Sequence, residues 1–194
     1  MLFRRGPAAA DNKNMDHTTP EHAADTTRQA LQDAVARYHR PLVAYALSQT
    51  GNLERARDAA QDTLLKLCQQ PAEQLERDIL PRLAPWLFTV CRNRVIDLHR
   101  KESRMTAPGI TQETLATAEP TPADQAEHHD QQDHLLSLVA ALPGNQREVV
   151  QLRFQGGLAY KEIAEVTGHS VSHVGVLLHE AIKHLRQQLA TLNA

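Results

Sequence analysis

Aromatic residues are scarce in this sequence: three Phe, three Tyr and one Trp in 194 residues. A core must therefore be assembled from Leu, Val, Ile and Ala. That argues against a β-sandwich and for helices, because strands favour aromatic and β-branched residues. Cysteine is nearly absent too. Cys68 and Cys91 are the two present and form no CxxC pair, which excludes a disulfide framework. Both sit among apolar neighbours in helical patterns and read as small buried hydrophobes in a reducing compartment. No apolar run approaches the ~20 residues that span a bilayer, so no membrane insertion is expected. The basic start MLFRRG lacks a following apolar stretch, so it does not read as a signal peptide and the expected location is the cytoplasm. Excess charge is also missing: the net charge is -2, and local charge has to decide whether nucleic acid is a partner. Finally, no nucleophile–base pair, phosphate loop or paired catalytic carboxylates appear, which points away from an enzyme.

What the chain does contain is helical periodicity. Residues 1–27 are small and polar, interrupted by Pro7 and Pro20. They are expected to be a disordered extension, with Met15 as an alternative start. From Thr27 to Ser48, Leu31, Val35, Tyr38, Leu42, Tyr45 and Ala46 recur at helical spacing. Gly51-Asn52 then offers a cap. A second helix is predicted over Leu53–Gln69, with Ala56, Ala59, Ala60, Thr63, Leu64 and Leu67 on one face and Arg57, Asp58, Gln61, Asp62 and Lys66 on the other. A proline-punctuated connection over 70–85 is expected to hold at most one helical turn. A third helix is predicted from Pro85 to Lys101, apolar at Trp86, Leu87, Val90, Cys91, Val95 and Leu98 and basic towards its end. Arg92, Arg94, Arg100 and Lys101 read either as cations at a solvated helix end or as a phosphate-contacting ridge.

Residues 103–123 change to Thr, Ala, Pro and acid, and no Lys or Arg follows Arg104 within them. They read as a flexible acidic linker between a helical domain over 28–102 and another over 124–194. The second domain begins with a predicted helix over 123–142. Asn145 is then expected to cap a helix, with Glu148 as its capping-box partner. Gly156-Gly157 closes that helix. A short helix over Ala159–Val166, a turn at Thr167-Gly168-His169 and a long helix capped by Ser170 complete the chain. Helix, tight turn and helix in this order outline a helix-turn-helix, which lays its second helix in a DNA major groove. The expected fold is all-α: two small helical domains, the C-terminal one carrying this motif.

Two such domains resemble the extracytoplasmic-function sigma factors, the small two-domain members of the sigma-70 family. In the second domain the matching residues are Leu142-Pro143, Gln146 to Val149, Leu152 to Phe154, Leu158, Tyr160, Glu162 to Ala164 and Ser170 to Val174. In the first they are Ala56, Asp58, Gln61-Asp62, Leu64, Trp86-Leu87, Arg92-Asn93 and Asp97 to Arg100. The resemblance implies a protein that binds core RNA polymerase, directs it to promoter DNA with matching −35 and −10 elements, and helps open the duplex. An anti-sigma factor is a further partner of this class. By position, the resemblance gives core-polymerase binding to Asp58, Gln61 and Asp62. It gives −10 contacts to Trp86, Arg92, Asn93, Arg94, Arg100 and Lys101, although a lone Trp on an apolar helical face also suits a core. It gives −35 contacts to Ser170, Ser172, His173, Gly175, Val176, His179 and Lys183.

The sequence departs from the family at this last group. Between Glu162 and Leu185 the one Lys or Arg is Lys183. Phosphate neutralisation supplies most nonspecific affinity, so weak −35 binding is expected without polymerase. Val176 and Leu177 are expected to meet thymine methyls or, alternatively, to pack on a protein such as an inhibitor. A stand-alone regulator and an adaptor that has lost DNA reading are the competing functions. The eleven histidines include the group His169, His173 and His179, but no metal-ligand spacing, so neither a metal nor another cofactor is expected.

Overall fold

The computed structural model describes residues 20–105 and 137–192, and every element in them is helical. The first domain contains α1 (Pro20–Thr50), α2 (Leu53–Cys68) and α3 (Leu83–Met105). Between α2 and α3 the chain makes three tight helical turns of different pitch: Ala72–Gln74 as α, Leu75–Ile79 as π and Leu80–Arg82 as 3-10. The second domain contains α4 (Gly144–Phe154), α5 (Tyr160–Thr167) and α6 (Val171–Leu192), preceded by helical residues at 137–140.

The first domain is a bundle in which α1 packs on α2 and α3, and α2 on α3. Ala56, Ala59 and Ala60 are fully buried along α2. Such small side chains let helix axes approach closely. Tyr45, Leu42, Leu67, Leu87 and Phe88 fill the remaining space and are fully buried, each contributing about 1.5–3 kcal/mol by removal from water. Tyr45 and Phe88 meet edge to face with centroids 5.5 Å apart. Gly51 N donates to Leu47 O at 2.8 Å and closes α1. Asn52 opens α2 by accepting from Arg55 N at 3.1 Å.

Several expectations need correction. Residues 20–27, expected to be disordered, are the first turns of α1. The connection over 70–85 holds more than one turn, because Leu75 and Ile79 are buried and anchor it to the bundle. It is tied further by Thr27 Oγ1 donating to Glu76 Oε1 at 2.5 Å. α3 runs on to Met105, past the expected linker start at 103. The rest of the linker and most of the helix predicted over 123–142 lie outside the described residues, as do residues 1–19. Cys68 is exposed rather than buried: it ends α2 on the side away from the Leu64 and Leu67 stripe. Cys91 is buried, and burial pushes its thiol up to about 12.

In the second domain α6 packs on α4 and α5. The turn before it uses Gly168 at φ 78°, a backbone conformation that glycine adopts without a Cβ penalty. Ser170 Oγ accepts from His173 N at 3.2 Å, as a capping residue does. Val174, Leu178 and Ala181 are buried, but so is Leu177, while Val171 is exposed. The expected capping box at Asn145 does not form. α4 starts two residues earlier, at Gly144 with Pro143 in the cap position and no side-chain cap, and Glu148 is engaged elsewhere.

Candidate nucleic-acid interface

Two surfaces can meet DNA, and both are built from helix periodicity. On α6, Ser172, Val176, His179 and Lys183 lie at i, i+4, i+7 and i+11, which places them on one face. All four are exposed, as is His173 beside them. The His173 ring meets His169 edge to face, with centroids 5.0 Å apart. Gly175 is partly exposed within the same turn, and a Cβ placed there would touch Tyr160 Cε2 at 3.9 Å. Leu177 is only 7% exposed. It belongs to the core beneath this face and cannot meet a thymine methyl, which leaves Val176, half exposed, for that role. Ser170 spends its hydroxyl on the cap.

On α3, Asn93, Arg94, Arg100 and Lys101 are exposed. Residues 93, 97, 100 and 104 recur at i, i+4, i+7 and i+11, so Asn93, Arg100 and Arg104 form a stripe about 16 Å long at 1.5 Å per residue. Asp97 lies within it, 4.0 Å from Arg100. Trp86 is half-buried against the bundle core. Its ring therefore serves mainly as packing, with an accessible edge. On the neighbouring α2, Asp58, Gln61 and Asp62 are exposed, as a docking face requires. Arg94 Nε lies 2.7 Å from Asp62 Oδ2, joining the acidic face to the basic one.

Arg92 is the exception. Its Nε donates to Glu148 Oε1 at 2.9 Å, so the cation points into the second domain. The same oxygen accepts from the buried Tyr45 hydroxyl at 2.8 Å. Burial first, and the neighbouring Glu148 carboxylate second, push the Tyr45 phenol well above its usual value. Ser48 hydrogen-bonds Gln151 across the same seam, and Arg82 pairs with Glu165 on α5. The periodicity of α4 gave no sign of this seam. Its polar residues Gln146, Glu148 and Gln151 are all buried, Glu148 among them although it was expected as a capping-box partner. Val149, Val150 and Leu152 cover an arc of roughly 160° at 100° per residue, wider than a narrow stripe, but nothing in that arc names the first domain as the neighbour.

An all-α protein with an exposed stripe on its helix-turn-helix and a basic helix on a second domain is a DNA-binding protein of transcription. Comparison with known proteins gives its family. The sigma-70 region 2 model matches residues 34–105, and the sigma-70 region 4 model matches residues 132–185. The ECF RNA polymerase sigma factor SigL of Mycobacterium tuberculosis is 31% identical over 189 residues, covering 96% of this chain and 95% of its own. The RNA polymerase sigma factor YlaC of Bacillus subtilis is 27% identical, covering 84% of this chain and 93% of its own. Among solved structures, the sigma factor RpoE of Bartonella quintana, in complex with the anti-sigma factor NepR, superposes with a TM-score of 0.63 at 25% identity, covering 82% of this chain and 96% of its own. The chain belongs to the sigma-70 family, in its extracytoplasmic-function branch. It is an RNA polymerase sigma factor, which binds core polymerase and directs it to promoters to initiate transcription.

Proposed function

We propose a division of that activity among the surfaces described above. Asp58, Gln61 and Asp62 on α2 dock on a basic surface of core polymerase, where opposite charge steers the encounter and fixes its orientation. The face of α3 formed by Asn93, Arg94, Arg100 and Lys101 holds the −10 element, with Arg92 and the edge of Trp86 at one end of it. The guanidinium and ammonium groups hold phosphates, and the Asn93 amide reads a base edge. The turns over 72–82 border this face and are anchored at Leu75 and Ile79, so they can line a pocket for an unstacked base. Such unstacking costs a few kcal/mol, which pocket contacts must offset. The face of α6 formed by Ser172, His173, Gly175, Val176, His179 and Lys183 meets the −35 element, and Ser170 supports it as a cap.

The observation that carries this reading is the exposed pair Asp58 and Asp62 on α2 beside the exposed basic end of α3, although Arg57 and Lys66 are exposed on α2 too. A stand-alone operator-binding protein has no use for an acidic docking face beside its basic helix. The partners are core polymerase, promoter DNA and an anti-sigma factor, the last because the Bartonella relative is bound to one. Exposed Phe154, Tyr160, Val171 and Val176 on the second domain give such a protein apolar surface to cover. No described helix is long and apolar enough to cross a membrane, and we place the protein in the cytoplasm with the polymerase.

The test is run-off transcription with purified protein and core polymerase. Promoter-dependent transcripts, lost when Asp58 and Asp62 become Asn and when Arg94 and Arg100 become Ala, are expected. Transcription kept in both variants would overturn the assignment of these faces. Core binding without transcription would favour an adaptor.

A further inference from the structure

We propose that His173 and His179, with His169 beside them, are the phosphate-binding cations of the −35 face, so that this face takes up protons when it meets DNA and binds more tightly as pH falls. The proposal rests on the reading of α6 as the −35 contact.

The turn and the reading half of α6, from Thr167 to Ile182, contain no Lys or Arg; their ionisable side chains are Glu180, His169, His173 and His179. With neutral imidazoles this stretch is anionic by one charge, and with all three protonated it is cationic by two. Lys183, the first permanent cation, follows a turn beyond His179. A DNA-binding face needs positive charge, because phosphate neutralisation supplies most nonspecific affinity. Imidazole is the side chain that ordinarily changes charge between pH 5 and 8. Here a proton supplies what a Lys or Arg supplies elsewhere.

The placement of the rings suits phosphates rather than bases. At 3.6 residues per turn, His173 and His179 stand roughly 120° apart around α6. They occupy the two edges of the exposed arc, with Ser172, Val176 and Lys183 between them, and both are exposed. The major groove is about 12 Å wide, and a helix with its side chains is about 10–12 Å across. The centre of the arc therefore faces base edges, while its two edges face the two rows of phosphates.

The third histidine couples the proton to the anion. His169 and His173 meet edge to face with centroids 5.0 Å apart, and two protonated rings at that distance repel. A phosphate beside them offsets the repulsion and lets both hold their protons. The carboxylates on α6 and on the helices packed against it are engaged elsewhere. Glu148 is bound by Tyr45 and Arg92, Glu162 Oε2 accepts from Ala159 N at 2.7 Å, Glu165 pairs with Arg82, and Glu180 Oε2 accepts from Gln146 Nε2 at 3.2 Å. The other charged groups of α4 and α5 are the cations Arg147, Arg153 and Lys161. DNA is the anion that remains for the pair.

The experiment measures binding of the full chain to a fluorescent random-sequence duplex by anisotropy, at pH 8 and pH 6 over a range of salt. One phosphate contact, with a salt slope of about 0.9, is worth about eightfold at 0.1 M salt. Going from pH 8 to pH 6, two imidazolium contacts are expected to tighten binding up to about fiftyfold and to steepen the salt slope by about 1.8. His173→Gln and His179→Gln should each lose about half of that steepening, with helical circular dichroism unchanged, and the double variant nearly all of it. His179→Lys should regain one contact at pH 8 and depend less on pH, a rescue that a merely structural histidine would not show. Wild-type binding that is flat between pH 6 and pH 8, or a pH dependence that persists in the double Gln variant, would overturn the proposal. Val176→Arg then separates the causes. A steeper salt slope in that variant keeps α6 on DNA and removes only the role of the histidines; an unchanged slope removes the −35 reading as well.

Discussion

Arg94 Nε and Asp62 Oδ2 lie 2.7 Å apart, so the cation proposed for the −10 phosphates is held by the anion proposed for polymerase. Both side chains are nearly half exposed, 43% and 48%, and a pair so open to solvent contributes only about 0–1 kcal/mol to stability. Its consequence lies in function. On the proposed division of surfaces, a basic polymerase surface that takes Asp62 would release Arg94 towards DNA, so that core binding would prepare promoter binding.

Asp62→Asn tests that coupling. The expected result is an almost unchanged Tm, a several-fold loss of core affinity measured by anisotropy with labelled protein, and slightly tighter binding of free protein to nonspecific DNA. Loss of stability without loss of core affinity would make Asp62 a structural partner of Arg94 and nothing more.

Gly156 lies where the second domain packs closely on Phe88 of the first. A Cβ there would meet Leu152 O at 2.7 Å, Leu158 Cδ1 at 2.8 Å and Phe88 Cε2 at 2.9 Å. Two of these atoms belong to the second domain itself and one to the first. Gly156→Ala is therefore expected to cost about 1–3 kcal/mol by overpacking, visible as a lower Tm in calorimetry. A neutral Tm would mean that the loop and the Phe88 ring shift freely to admit the methyl.

How far the sequence carried the reading differs by element. Helix type and order were legible, because Leu42, Tyr45, Leu64, Leu67, Val174 and Leu178 recur at helical spacing and are all buried. The capping Ser170 and the turn glycine Gly168 were legible because local chemistry dictates them. Glu148 was not. Asn145 and Glu148 have capping-box spacing, but the carboxylate gains more from Tyr45 and Arg92 than from a backbone N–H beside Pro143. Residues so far apart in sequence leave no local pattern when they pair. Leu177 was misplaced for a related reason. The buried arc of α6 is wide enough to take Leu177 as well as Val174, Leu178 and Ala181, and the apolar dipeptide Val176-Leu177 straddles its edge. Cys68 likewise falls just outside the arc of α2.

The two thiols should behave oppositely. Cys68 is exposed, whereas Cys91 is buried with its thiol pushed up to about 12 from a usual value of 9.0. One thiol is expected to react with a disulfide reagent in the native protein and two in denaturant. Because the folded state raises the Cys91 value, its contribution to stability is complete below pH 9. It is lost as pH climbs from there towards 12. Alkaline unfolding followed by circular dichroism should accordingly shift to higher pH in Cys91→Ala once its lower neutral stability is allowed for. Two fast thiols at neutral pH would show that α3 opens locally.

The −35 face makes the last prediction, and its two parts pull apart. Gly175 sits within α6, and its missing Cβ would make only ordinary contact with Tyr160 Cε2 at 3.9 Å. Gly175→Ala should therefore stabilise the helix by about 1 kcal/mol. If the glycine admits the DNA backbone, the same change weakens promoter binding by holoenzyme, so stability and affinity move in opposite directions. Val176, half exposed on the same face, tests the shortage of positive charge. Val176→Arg adds one phosphate contact and should steepen the dependence of log affinity on log salt by about 0.9. Its nonspecific affinity should rise, while discrimination for the native promoter falls with the loss of an apolar contact. An unchanged salt slope in Val176→Arg would show that this face of α6 does not lie against DNA, and the exposed apolar side chains would then belong to a protein partner.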